Sequence, residues 1–182
     1  MFMMEVGLVM VDIMDKIQKI TEIGKSTDEK RKGINISAVF YIWDTLVLKY
    51  DFLETIGILR NFIEGNDLKF VVGQVEKSLR GGVESMEGLM EDYGIPQPIR
   101  PPADNRTTVK LEHFTDRFIF EGIFEGFQSF FPVLAHGFMN STSPKARKAL
   151  KDHLLKAMEV QDLVIEYGKL KGFIHEPPDY KA

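Results

Sequence analysis

A phenylalanine-rich segment, residues 115–140, constrains the fold more than any other part of this chain. It reads TDRFIFEGIFEGFQSFFPVLAHGFMN and contains seven of the 14 phenylalanines. Its apolar side chains recur at helical spacing, and a helix this aromatic has to be buried by other helices. Pro132 lacks an amide hydrogen and crowds the preceding turn, so it is predicted to kink the helix. The segment indicates a helical bundle and no particular chemistry.

The charge and residue usage of the 182-residue chain exclude several classes of protein. A net charge of −4 argues against a nucleic-acid-binding module, which would carry a basic face. The chain has no cysteine, which rules out disulfides and thiolate metal ligands. Glu5, Asp12 and Asp15 interrupt the apolar run at the start, so no signal peptide is predicted. No window of the chain reaches the roughly 18 to 20 apolar residues of a membrane span, so none is predicted either. We expect a cytoplasmic protein without nucleic-acid or membrane partners.

The first 34 residues are predicted to form an N-terminal amphipathic helix followed by a loop, separate from a bundle domain at residues 35–182. The helix would span about residues 3–23, and the polar sequence GKSTDEKRKGIN would form the loop. Its apolar residues fall on one helical face: Val6, Val9, Met10, Ile13, Ile17 and Ile20.

Three further helices are predicted around the aromatic one. The first runs from an N-cap at Ser37 to about residue 63, and the second covers residues 67–93 and ends at Gly94. The last has Ser143 as its N-cap and Pro144 as its first residue, runs to about Leu170 and stops at Gly172. The predicted core stripe of the first consists of Val39, Trp43, Leu46, Tyr50, Leu53 and Arg60, flanked by Ile42 and Ile56. The predicted stripe of the second consists of Leu68, Val72, Val75, Leu79, Gly82, Met86, Leu89 and Tyr93.

A proline-rich segment, IPQPIRPPADNRTTVK, separates the second of these helices from the aromatic helix. Its prolines forbid a helix and favour an extended backbone, and its length suits a crossover along a bundle. We therefore predict an all-α, ferritin-like four-helix bundle with one long Pro-rich crossover and an extra N-terminal helix.

Ferritin-like bundles raise the hypothesis of a di-metal carboxylate site. That chemistry needs inward carboxylates and two Glu-x-x-His motifs, and no Glu in this chain has a His three residues later. Glu121, Glu125 and His136 fall on the arc opposite the phenylalanine face. The sequence therefore predicts no metal site, no cofactor and no catalytic residue.

A ligand pocket in the bundle core is the alternative kind of site. His153 lies on an apolar stripe, which fits either a ligand or acid–base group or, as we favour, a buried neutral histidine. The predicted pocket lining is Trp43, Tyr50, Glu54 and His153.

A subunit interface is a second kind of candidate surface. Gly122-x-x-x-Gly126 either lets a bulky neighbour approach the helix backbone within the chain, which we favour, or forms an interface with Glu125 and His136. Lysines and arginines at residues 145–156 would either meet an anion or, as we favour, form a solvated face balanced by acidic neighbours.

Four blocks of the sequence resemble the DUF3231 family of bacterial proteins, which are related to spore-coat-protein-F-like, ferritin-like bundles. The blocks are AVFYIWDTLVLKYDFLETIGILRNFI, MEDYGIPQPIRPP, FTDRFIFEGIFEGFQSFFPVLAHGF and VIEYGKLKGFIHEPPDY, within about residues 35–180. The resemblance implies a four-helix bundle. Because some members carry two copies in one chain, it also implies that a single copy pairs with itself. It supplies no catalytic motif.

The function predicted from these observations is a non-enzymatic structural or interaction bundle that forms a homodimer. The resemblance adds an expected association with the spore coat or with stress, and a protein partner in such an assembly. The alternative is a ferritin-like protein that binds a metal or small ligand in a pocket of the bundle core.

Overall fold

The computed structural model describes residues 13, 16, 17, 20, 21, 23–101 and 114–174. Every regular element in this part of the chain is a helix, which confirms the all-α prediction there. The elements are α1 (Thr27–Lys32), α2 (Ile36–Leu59), a 3-10 turn (Arg60–Phe62), α3 (Asn66–Tyr93), α4 (Asp116–Gln128), α5 (Phe130–Asn140) and α6 (Pro144–Lys171).

The helices pack around one apolar core. α2 packs against α3 and α5, while α6 packs against α3, α4 and α5, and the short α1 lies on α3. The stripe predicted for α3 is buried throughout: Leu68, Val72, Val75, Leu79, Gly82, Met86, Leu89 and Tyr93. The face of α3 that packs on the core is therefore the one that its apolar spacing predicts.

The ends of α3 and α6 agree with the sequence. The Ser143 hydroxyl accepts a hydrogen bond from the Ala146 amide, and Pro144 occupies the first turn of α6. Gly94 and Gly172 end the two helices with φ of 59° and 66°, a left-handed conformation that glycine adopts without strain.

The aromatic helix is divided at Ser129 rather than at Pro132. Pro132 falls in the first turn of α5, where a missing amide hydrogen breaks no hydrogen bond within that helix. The break is therefore displaced toward the N-terminus, and the Ser129 hydroxyl donates to the Gly126 carbonyl at 2.7 Å. Pro132 causes the interruption, but the chain accommodates it one turn earlier than predicted.

Helix α2 is rotated relative to the predicted stripe. Trp43 is 40% exposed and Arg60 lies on the surface, so both predicted core positions are wrong. The stripe that faces the core passes through Ile42, Leu46 and Ile56. Helix α2 also begins two residues earlier than predicted, with Asn35 in place of Ser37 as its N-cap.

Two predictions extend beyond the described residues. The crossover is non-helical as far as residue 101, and residues 102–113 lie outside the described part of the chain. Most of the predicted N-terminal helix also lies outside it. By length and apolar composition alone, Asp116–Asn140 could cross a membrane, whereas the sequence predicts no membrane span in any part of the chain. In the fold it packs on α2 and α6.

Candidate functional site

A long groove lies between α3 and α6 and has a volume of about 1220 Å³. Phe127, Phe130 and Leu134 from the two aromatic helices form its floor. All three side chains are buried. The groove therefore combines an apolar floor with the polar outer faces of two long helices.

Small residues make the α3 wall shallow. They follow each other at helical spacing along the groove: Ser78, Gly81, Gly82, Ser85 and Gly88. A Cβ atom at Gly82 would lie 2.8 Å from the Lys49 Nζ atom. Gly82 therefore leaves the space into which the Lys49 ammonium extends from α2.

Lys49 is the chemically distinctive side chain of the groove. It is 6% exposed and lies on the core stripe of α2. Its Nζ atom lies 5.2 Å from the centroid of the Phe130 ring, a cation–π contact. No carboxylate pairs with it among the residues that the structure describes. Burial lowers the pKa of Lys49 to about 8, because the charged form loses hydration.

His153 projects from α6 into the same groove. Burial, reinforced by the positive charge of Lys49, lowers the pKa of His153 to about 4, although Asp152 opposes the shift. The imidazole is therefore neutral at physiological pH, as the favoured interpretation of the sequence held. The groove thus pairs one ammonium with one neutral hydrogen-bonding ring.

Ion pairs on the groove rim neutralise most of its exposed charge. Lys148 pairs with Asp152 at 2.8 Å, and Lys156 pairs with Glu159 at 2.7 Å. The basic cluster of α6 is thus balanced by acidic neighbours, which agrees with the interpretation that we favoured. The unpaired charge of Lys49 lies below this balanced rim.

One end of the groove is closed by a charged cluster around Asp92. Lys145 of α6 and Lys30 of α1 contact the Asp92 carboxylate at 2.6 and 3.3 Å. The hydrogen bond from Lys145 contributes most to the lowered pKa of Asp92. This cluster fixes α1 against α3 and α6 at the end of the groove.

The structure brings only one of the four predicted pocket residues, His153, into the groove. Trp43 points outward because of the rotation of α2. Tyr50 is buried but donates to the Glu87 carboxylate at 2.5 Å, and burial and Glu87 raise its pKa to about 12. Glu54 is half-buried and does not line the groove. The predicted lining of Trp43, Tyr50 and Glu54 is therefore corrected to Lys49 and the aromatic floor.

The predicted interface residues occupy two different environments. A Cβ atom at Gly126 would lie 2.6 Å from the Phe52 ring, so this glycine permits close packing inside the chain. Gly122 has nothing within 4 Å of a Cβ position. Glu125 and His136 are exposed. Their role in an interface between subunits stays a prediction.

No group of three or more His, Asp or Glu side chains is close enough to hold a metal ion in the described part of the chain. The residues present therefore do not fit the dinuclear carboxylate centre that a ferritin-like fold implies. The groove offers an ammonium and an imidazole instead, which suits an anionic ligand better than a cation.

Lys49 was missed because a lysine was not considered for the core. The signal was available, since Lys49 follows Ile42 and Leu46 at helical spacing and Ile56 continues the same stripe. Centring the stripe on Trp43 placed Lys49 outside it. A correct helical phase would have identified a lysine among core positions.

Comparison with known proteins gives a similarity in fold. No family model matches the chain, and no curated protein matches it. The crystal structure of a "putative spore coat protein" from Bacillus halodurans C-125 superposes with a TM-score of 0.74. The match covers 82% of this chain and 96% of the other at 17% sequence identity. The chain therefore has a helical fold similar to that of this protein, and no family model supports the DUF3231 resemblance.

Proposed function

We propose that this chain is a binding protein that holds a small amphipathic anion in the groove between α3 and α6. The observation that carries the proposal is the ammonium of Lys49, which is buried in a groove without a carboxylate partner among the described residues. A buried charge is costly unless it is paired, so an anionic group bound at Nζ would remove an existing penalty.

The surroundings of Lys49 define the class of ligand. The phenylalanines and leucine of the floor offer contact area to an apolar chain or ring. Neutral His153 can donate or accept one hydrogen bond beside the anionic group. The ligand class that fits is therefore an organic carboxylate or phosphate with an apolar body. Its binding at Lys49 needs no metal ion.

Calorimetric titration with sodium decanoate tests the proposal directly. We expect saturable binding to the wild-type protein and at least about tenfold weaker binding to Lys49→Met, because a charge-assisted contact is worth roughly 1.5–3 kcal/mol. Lys77→Met, on the exposed rim, is the matched control and should bind as the wild type does. Decyltrimethylammonium has an apolar tail but a cationic head and should not bind. Equal binding of decanoate by both variants would contradict the proposal.

A second candidate function is self-association in a spore-coat or stress-related assembly, in the cytoplasm or at the spore. The similarity in fold to the Bacillus halodurans protein favours it, and a ferritin-like connectivity would be consistent with both functions. An exposed apolar stripe on α2 supplies a surface: Ile36, Phe40 and Trp43 are 85%, 55% and 40% exposed. We infer that a second copy covers this stripe in a homodimer.

Sedimentation equilibrium of the wild type and Phe40→Glu tests this second candidate. The wild type is expected to be dimeric at micromolar concentration and Phe40→Glu monomeric, because a charge in an apolar interface is left unpaired. Ile58→Glu changes an isoleucine of similar exposure elsewhere on α2 and should stay dimeric. A monomeric wild type, or equal effects of both variants, would contradict a dimer formed through the stripe.

A further inference from the structure

Lys49 presents a primary amine to the groove between α3 and α6, and an amine can react as well as carry charge. Its side chain is 6% exposed and lies against the Phe130 ring, with Nζ 5.2 Å from the ring centroid. Burial lowers the pKa of Lys49 from 10.5 to about 8. At pH 7 about a tenth of the Lys49 side chains are therefore neutral amines, compared with about 0.03% for an ordinary lysine. Only the neutral amine has the lone pair that attacks a carbonyl carbon.

The acidic residues of the groove do not hold this amine in its charged form. An ion pair would keep Lys49 protonated and block a reaction at the nitrogen. No carboxylate pairs with Lys49 among the described residues. Three carboxylates that line the groove are engaged by other lysines: Asp92 by Lys145 at 2.6 Å, Asp152 by Lys148 at 2.8 Å and Glu159 by Lys156 at 2.7 Å.

Gly82 of α3 allows the Lys49 amine to reach the groove. A Cβ atom at Gly82 would lie 2.8 Å from Nζ and 3.1 Å from Cε, so a larger residue would displace the amine. Phe127 and Phe130 form the floor beside it, and the groove has a volume of about 1220 Å³. The reactive nitrogen and a surface for an apolar chain are therefore adjacent, as the capture of an amphipathic molecule requires.

His153 of α6 supplies a neutral imidazole beside the amine. The positive charge of Lys49 is the second cause, after burial, of the lowered pKa of about 4 for His153. The two groups are thus close enough to interact electrostatically. Because the imidazole is neutral at pH 7, one of its nitrogens can accept a proton and the other can donate a hydrogen bond. An amine that attacks a carbonyl has to lose protons, and His153 is placed to relay them.

We propose that Lys49 captures an apolar aldehyde in the groove as a covalent imine. The nitrogen lone pair attacks the carbonyl carbon and forms a C–N bond, and a proton from the nitrogen passes through His153 to the carbonyl oxygen. The resulting carbinolamine loses water: the C–O bond breaks, the C=N bond forms, and the second nitrogen proton leaves with the hydroxyl group. Nothing is oxidised or reduced. The inference rests on the groove of the proposed function, but it needs no anionic group.

Imine formation suits the buried position of Lys49. A buried ammonium without a carboxylate carries a desolvation penalty. An imine nitrogen is less basic than an amine, so the capture of an aldehyde replaces the buried charge by a neutral group. The chain of the aldehyde would cover the floor of Phe127, Phe130 and Leu134. Both effects favour an aldehyde with an apolar chain over a small or charged one.

Reductive trapping with octanal tests the capture. The wild-type protein is incubated at pH 7 with octanal and sodium cyanoborohydride, which reduces an imine to a stable secondary amine, and peptide mass spectrometry identifies the labelled lysines. Lys77, an exposed lysine of the same groove, is the internal control. We expect Lys49 to be labelled at least about tenfold faster than Lys77, because its neutral fraction outweighs its lower basicity. Equal or slower labelling of Lys49 would overturn the proposal.

Acetaldehyde is the matched control for the apolar chain. It reacts by the same chemistry but is too small to cover the floor of the groove. The preference for Lys49 over Lys77 should therefore be at least about tenfold smaller with acetaldehyde than with octanal, because several methylene groups are no longer buried. Equal preferences with the two aldehydes would overturn the assignment of the groove to an apolar aldehyde.

Decanoate titration separates this inference from the proposed function. Fast labelling of Lys49 in a protein that does not bind decanoate would support the capture and contradict only the anionic ligand. Decanoate binding by a protein whose Lys49 is labelled no faster than Lys77 would overturn only the capture. If both proposals hold, saturating decanoate should slow the labelling of Lys49 but not of Lys77, because the two molecules compete for one site. Labelling of Lys49 that bound decanoate does not slow would overturn capture in the groove.

Discussion

Side chains pack differently on the two sides of the aromatic helices. Where α4 and α5 meet α2 and α6, bulky rings are pressed against glycines. Phe52 lies on Gly126, and Phe120 lies on Gly168 within 2.3 Å of a Cβ position. Between α3 and α6, by contrast, small residues of α3 form one wall of a groove that no bulky side chain of the described residues fills. One side is sealed and the other is open.

The difference shows how glycine can serve opposite purposes in one fold. On the sealed side each glycine is matched by an aromatic ring, so the missing side chain becomes contact area. On the open side Gly82 is matched by the Lys49 ammonium, a group that packing alone would not select. We therefore assign stability to the sealed side and ligand binding to the open side.

The largest expected effect comes from emptying the sealed side. Phe120 is 2% exposed and contacts the rings of Phe124, Tyr167 and Phe173. Phe120→Ala should lower the free energy of unfolding by about 3–5 kcal/mol, because it leaves a cavity. Phe118→Ala removes a half-exposed ring from the same helix and should cost less than about 1 kcal/mol. Denaturant titration of both variants measures the contrast. Equal losses of unfolding free energy in the two variants would show that the packing of the sealed side does not dominate the stability.

Removing the buried charge from the open side should raise the free energy of unfolding. Lys49 holds its proton less tightly in the folded protein, with a pKa of about 8, than in the unfolded chain, where the ordinary value is 10.5. The resulting penalty, about 3 kcal/mol, is fully present below pH 8 and disappears as the pH rises toward 10.5. Lys49→Met should therefore stabilise the protein by about this amount at pH 7 and by almost nothing above pH 10.5.

Chemical denaturation of Lys49→Met and the wild type across this pH range checks that expectation. Lys77→Met, on the rim, should change the stability by less than about 0.5 kcal/mol at every pH. A destabilised Lys49→Met protein at pH 7 would mean that Lys49 is part of the structural core rather than a charge reserved for binding.

The two glycines of the aromatic helix give a smaller, paired effect. Gly126→Ala places a methyl group 2.6 Å from the Phe52 ring and should destabilise by about 1–3 kcal/mol. Gly122→Ala meets nothing within 4 Å and should stabilise by up to about 1 kcal/mol through helix propensity. Thermal unfolding of each single variant decides the sign. If Gly122→Ala instead disrupted an oligomer, the predicted interface at Gly122 would gain support.

The smallest effect concerns His153, which senses the charge of Lys49. NMR titration of the wild type should place the pKa of His153 near 4, well below its ordinary value of 6.5. Lys49→Met should raise that pKa, because the neighbouring positive charge is removed while the burial remains. Neutral His153 stabilises the fold above pH 6.5, and this stability is lost as the pH falls toward 4. An unchanged pKa would place the two groups too far apart to cooperate.

The sequence predicted the sealed side far better than the open side. The N-cap of α6, the glycines that end α3 and α6, and the stripe of α3 follow local rules of spacing, and the structure confirms them. The phase of α2 did not follow from spacing, because apolar residues surround this helix on several sides and Trp43 competes with Ile42 for the core. The groove could not be predicted from the sequence, because it depends on the absence of large side chains along one face of α3. Only His153 among the predicted pocket residues lies in it.

The pKa of Lys49 in the presence and absence of decanoate shows whether the groove binds an anion at this ammonium. It can be followed by NMR of protein carrying labelled lysine, with Lys49→Met to assign the signal. We expect a pKa of about 8 in the free protein and a clear rise when decanoate binds, because the carboxylate stabilises the charged ammonium. A Lys49 signal whose pKa does not change in saturating decanoate would contradict it.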